Sequence, residues 1–206
     1  MSERLLYLIS EVYMPGNIKE IITLVSSILA MAFCIVAFLL KNRKTILVAQ
    51  LIGMAMWSVH FFLMGEYAGA AMNGLAVARS LVYVQRDRHK WANSKFVPAA
   101  FVFIFIAAGV TTRFIGNIVP GMNNDYMWWL PTIAMTITSI GLFFKNEQTM
   151  RALNTFSSPP WIVYNVLAKS PLAVITESLS LLSVLLGLII YGRKKKASAE
   201  AEKESE

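Results

Sequence analysis

KNRKTILVAQLIGMAMWSVHFFLMG (residues 41–65) and KNEQTMRALNTFSSPPWIVYNVLAK (residues 145–169) lie over one another without a gap. Lys41-Asn42 and Thr45 fall on Lys145-Asn146 and Thr149, Trp57 on Trp161, Val59 on Val163 and Leu63 on Leu167. Further upstream Ala30-Met31 falls on Ala134-Met135 at the same shift of 104 residues. Leucine on leucine is cheap in an apolar chain. A tryptophan and a K-N-x-x-T pattern matching at one shift are not, and they predict an internal structural repeat.

The surroundings of the repeat are apolar throughout. The chain has 206 residues, of which 56% are hydrophobic and 15% charged, and its mean hydropathy is +0.56. Soluble domains carry roughly 45–50% apolar and about 25% charged residues. Apolar segments fall at 21–40, 46–64, 67–85, 97–112, 128–144, 150–168 and 171–191. A spanning helix takes about 20 residues, so the length accommodates seven crossings and little else. The fold predicted is an all-α membrane protein of seven transmembrane helices. Spans one to three repeat as spans five to seven, with span four as linker. Equivalent elements are four spans apart, and four is even, so the two three-helix repeats run parallel in a 3+1+3 arrangement about an axis along the membrane normal. The divisions expected are a head at 1–20, a first repeat at 21–90, a linker helix and loop at 91–124, a second repeat at 125–192, and a basic cluster and tail at 193–206.

Charge gives the orientation. With the amino-terminus on side one, that side receives Arg4, Lys19, Arg113 and Lys169, while side two receives thirteen Lys and Arg residues from 41–44, 86–95, 145–151 and 193–196. Lysine and arginine concentrate in cytoplasmic loops. The amino-terminus is therefore expected outside and the carboxy-terminus in the cytoplasm. This also accounts for the net charge of +7 without a nucleic-acid partner. The head lacks the uninterrupted apolar core of a signal peptide, because Glu3 and Glu11 break it. The tail ASAEAEKESE is charged and poor in large apolar residues, a disordered composition.

Polar groups inside spans are costly and normally face the bundle interior or a water-filled cavity. Glu177 is the one carboxylate well inside a predicted span, and it stands sixteen residues after Trp161, as Asn73 stands sixteen after Trp57. Two aromatics and two polar groups at similar depth would then surround the pseudo-symmetry axis. Trp57, Asn73, Trp161, Asn165 and Glu177 are the candidate substrate-binding residues. Trp57 and Trp161 read equally as packing aromatics, and Asn73 as a helix-to-helix bond of modest energy. Arg79 either snorkels toward the cytoplasmic cluster or pairs with Glu177. His60 is a candidate proton-sensitive group or a satisfied structural histidine. Pro159-Pro160 are expected to interrupt span six beside Trp161, as broken helices do at transporter sites, or to kink it.

No catalytic constellation is present: there is no HExxH, no phosphate loop and no Gly-x-Ser-x-Gly turn. No enzyme activity, cofactor or metal site is expected. The single cysteine, Cys34, reads as a small buried hydrophobe. The partners expected are membrane lipids and a small solute, with a homo-oligomer left open.

The string His60-Phe61-Phe62-Leu63-Met64-Gly65 with Arg79 after it, and Trp161-Ile-Val-Tyr-Asn165 with Glu177 after it, resemble the YgjV family of bacterial inner-membrane proteins. The likeness covers roughly residues 21–192 and implies a multi-pass protein of the bacterial inner membrane. More distantly, the layout and the Trp-to-Asn spacing are similar to the SWEET sugar transporters and the related PnuC transporters. That resemblance implies that Trp57 with Asn73, and Trp161 with Glu177, line a solute cavity. Here a carboxylate replaces the second amide, and the prolines Pro131 and Pro159-Pro160 occur only in the second half. The departure makes a cationic or proton-coupled solute conceivable in place of a sugar.

Overall fold

The computed structural model describes residues 16–39, 43–85, 88–116, 127–141, 144, 147–183 and 185. The expected head up to residue 15, the tail and the Lys-Asn pairs at 41–42 and 145–146 lie outside the described residues. Among those described, the chain is all helical. Seven α-helices follow one another: α1 (Ile18–Leu39), α2 (Arg43–Met64), α3 (Tyr67–Val84), α4 (Phe96–Gly116), α5 (Trp129–Gly141), α6 (Glu147–Leu167) and α7 (Pro171–Ser183), with a short 3-10 turn at Lys90–Asn93. The first six start and end within a few residues of an apolar segment, and α7 starts where the segment 171–191 does.

Local chemistry sets the ends. Asn17 Oδ1 accepts the Glu20 amide at 3.0 Å, and the Glu20 carboxylate reaches back to the Gly16 amide at 2.6 Å. This reciprocal capping satisfies amide donors that the first helical turn leaves without partners. In α6 the helix runs on through Pro159 and Pro160. The interruption expected there does not occur. Each proline removes an amide that would have served the carbonyl four residues back and crowds that carbonyl, yet the helix continues for seven residues beyond the pair.

Consecutive helices pack as α1 on α2, α2 on α3, α4 on α5 and α5 on α6, while α3 also touches α4 and α5. The interior combines a few large rings, Phe61, Phe105 and Tyr164, with many small and polar residues: Ala30, Ala76, Ala134 and Ser139 are all fully buried. Many other large apolar side chains point outward. Ile22, Val25, Ile28, Leu29 and Val36 are exposed on α1, as are Phe103, Ile106, Val110 and Phe114 on α4. Such a surface is unfavourable in water and suits hydrocarbon, where small interior residues permit close helix approach. Two stretches, Ile18–Ala37 and Phe96–Ile115, are long and apolar enough to cross a bilayer, and Val48–Met64 and Pro171–Ser183 are shorter apolar helices.

Candidate functional site

The turns that follow α2 and α6 are built alike. After α2, the Gly65 amide bonds the Phe62 carbonyl at 3.1 Å and the Glu66 amide bonds the Phe61 carbonyl at 2.9 Å, with Gly65 at φ +81°. After α6, the Lys169 amide bonds the Val166 carbonyl at 3.1 Å and the Ser170 amide bonds the Asn165 carbonyl at 2.9 Å, with Lys169 at φ +54°. Both are Schellman endings, which place one residue in the left-handed region. Glycine tolerates that region freely and lysine does not. Lys169→Gly is accordingly expected to stabilise the protein by about 1 kcal/mol, roughly 2–4 °C in Tm, as read by thermal unfolding in detergent.

Two side-chain bonds then cross between these turns. The Thr23 carbonyl, 2.9 Å from Nδ1 of His60 on α2, can only accept, so Nδ1 carries a hydrogen, and in the neutral imidazole Nε2 is then the acceptor. Ser170 therefore donates its hydroxyl hydrogen to His60 Nε2 across 2.8 Å. In the opposite sense, Tyr164 on α6 donates its hydroxyl to Glu66 Oε2 at 3.2 Å and accepts the Gly69 amide at 3.0 Å. The Gly69 amide is one of the donors left over in the first turn of α3. Glu66 is buried and Tyr164 fully so.

Phe61 occupies the centre of the same end. Its ring lies 5.9 Å from Trp57 and 6.3 Å from Trp161, tilted by 31° and 21° respectively, so the three rings stand in a rough stack. His60 and Tyr164 add edge-on and tilted contacts to Phe61 at 5.2 and 5.7 Å. Trp57 and Trp161, both buried, lie on either side of Phe61. Between them there is a phenyl ring rather than open space.

The remaining candidates lie in four places. Glu177 on α7 is partly buried and hydrogen-bonds Ser158 on α6. It acts electrostatically on Cys34 of α1, which itself bonds Trp57. Cys34 itself is half-buried and packs against the apolar core, as a small hydrophobe does. Asn73 turns its amide back to the Gly69 carbonyl, 2.9 Å away on its own helix. Asn165 is buried beside Tyr164, and its side-chain oxygen has no hydrogen-bond partner among the described residues. Arg79 does not turn to Glu177. Its guanidinium reaches α5, donating to Ser139 Oγ at 3.0 Å, with Met135 Sδ at 3.9 Å, and it lies over the Phe105 ring of α4 at 5.2 Å. The reason is rotational. The face of α3 that carries Arg79 is the one turned to α4 and α5.

Reading the chain span by span misses Phe61, Glu66, Tyr164, Ser170 and Ser158. One signal was available: at the 104-residue shift His60 falls on Tyr164 and Glu66 on Ser170, so both crossing bonds join the same pair of positions. Among the described residues no three His, Cys, Asp or Glu side chains come together as a metal site would require.

No solved structure matches the chain. It is similar to the inner membrane protein YgjV of Escherichia coli (strain K12), at 28% identity over 142 residues, which is 69% of each chain. The model of the bacterial inner membrane protein family Imp-YgjV matches residues 21–195, and the chain belongs to that family.

Proposed function

We propose that the protein is a seven-span solute transporter or facilitator in which two parallel three-helix repeats, α1–α3 and α5–α7, rock about a central cavity. The observation that carries this reading is the reciprocal pair of bonds. His60 in the first half meets Ser170 in the second, and the residue equivalent to His60, Tyr164, meets the residue equivalent to Ser170, Glu66. A contact in which i meets j and j meets i is what a two-fold axis generates. The repeated backbone bonds of the two turns support the same relation. Positive-inside orientation puts these turns on the periplasmic side.

On this reading the latch and the Trp57–Phe61–Trp161 stack close the periplasmic end. Glu177 with Ser158 of α6 forms the polar face on which a solute rests, and Trp57 supplies a ring wall. Asn165 supplies an acceptor without a partner close to the latch. No chemical step on the solute is involved. Purified protein in liposomes, tested for uptake against a panel of sugars, polyols, amino acids and vitamin precursors, is expected to move at least one of them. Glu177→Gln is expected to lower that flux by roughly tenfold or more, the worth of a charge-assisted hydrogen bond, with Tm retained. Loss of Tm with no flux in either protein would count against the transporter.

One observation favours a second reading. Phe61 fills the space between the tryptophans, as a packed axis would in a membrane scaffold, assembly factor or sensor that moves nothing. In that case the crossing bonds serve only to hold helices together.

A further inference from the structure

Arg79 is a cation enclosed by neutral groups. It is 7% exposed. A guanidinium has five N–H donors, and among the described residues the partners are one hydroxyl, one thioether sulfur and the face of one ring. Ser139 spends its own hydrogen on the Met135 carbonyl at 2.8 Å, so its lone pairs are left facing the arginine. The thioether is a weak acceptor on a flexible, easily displaced side chain. It stands where a strong acceptor would be expected. Charges within spans are normally paired, because an uncompensated one costs several kcal/mol. Among the described residues no carboxylate forms an ion pair with this one.

The position adds a second argument. Arg79 belongs to α3, Phe105 to α4, and Ser139 with Met135 to α5, so the guanidinium lies where the two halves and the linker helix meet. It is five residues from the end of α3, about 7–8 Å along the axis. Exposed Arg88, Lys90 and Lys95 follow just beyond that end, and such a basic rim raises the local concentration of anions.

We propose that Arg79 is the recognition group of a binding site for an oxyanion, a carboxylate or a phosphate, between α3, α4 and α5. The bound anion replaces the Met135 sulfur as partner of the guanidinium, accepting two parallel N–H bonds as carboxylates and phosphates do. Ser139 remains as the side support. Because the site touches both halves, its occupancy favours one relative placement of them. The proposal does not depend on transport, since an oxyanion would bind here in a static scaffold as well.

The test is thermal unfolding of the full chain with two kinds of probe. Sodium phosphate and sodium succinate are added in neutral detergent against sodium chloride of equal ionic strength, and nanodiscs of phosphatidylcholine are compared with nanodiscs containing phosphatidylglycerol. Wild type is expected to gain about 3–6 °C at tenfold-saturating probe. Arg79→Met is expected to give no gain, with an unliganded Tm no lower than wild type. Arg79→Lys, which keeps the charge but loses the fork, is expected to gain less than wild type and decides the matter if the methionine variant does not fold. A gain from phosphate or succinate identifies a soluble oxyanion, and a gain only from phosphatidylglycerol identifies a lipid headgroup. No gain from any probe in wild type overturns the site, as does an equal gain in the variants.

Discussion

Phe61→Ala is expected to lower stability by about 3–5 kcal/mol, on the order of 10 °C in Tm. The ring is 2% exposed and touches Trp57, His60, Trp161 and Tyr164, so its removal leaves a cavity that four large rings cannot readily collapse into. The same variant separates a gate from a scaffold. If Phe61 closes a water-filled path, its loss admits water to Trp57 and Trp161, and tryptophan emission shifts to the red along with the fall in Tm. A fall in Tm with unchanged emission would mean a dry core.

Gly69→Ala is expected to cost about as much, roughly 3 kcal/mol, although it adds a single methyl group. A Cβ at this position would sit 2.8 Å from both Cε1 and the hydroxyl of Tyr164, and 3.1 Å from the Phe61 ring. Tyr164 has nowhere to go, being fully buried. Pushing it aside also breaks the bonds from the Gly69 amide and to Glu66, which leaves a buried carboxylate short of a donor. A double-mutant cycle with Tyr164→Val checks this account. The smaller side chain removes the collision, so the cost of Gly69→Ala in the valine background should fall by at least half. An unchanged cost would place the strain elsewhere.

Much of the helical framework was readable from the residues. Apolar runs of spanning length give each helix its extent, as in 46–64 for Arg43–Met64 and 67–85 for Tyr67–Val84. Side-chain partners were harder to read. Glu66 lies between two apolar runs, so a span-by-span reading leaves it in water. It is buried because Tyr164, nearly a hundred residues away, closes over it. Phe61 has no mark in composition or spacing to separate it from its neighbour Phe62, which is exposed. Its centrality comes from which face of α2 meets α6. Arg79 and Glu177 attract one another as symbols in a sequence, yet the face of α3 that carries Arg79 is turned to α4 and α5. The proline pair suggested a break that the helix does not make.

The central claim is that the two halves move relative to one another about the reciprocal latch. Phe62 on α2 and Val166 on α6 are exposed, occupy equivalent positions at the ends of their helices, and lie beside the latch. Spin labels on Phe62→Cys and Val166→Cys, in a Cys34→Ala background, report the separation of the halves by pulsed electron spin resonance in liposomes without any knowledge of the solute. Two distances are expected, with weight moving to the longer one when His60→Ala and Tyr164→Phe remove the crossing bonds. A single narrow distance that those substitutions leave unmoved would contradict it.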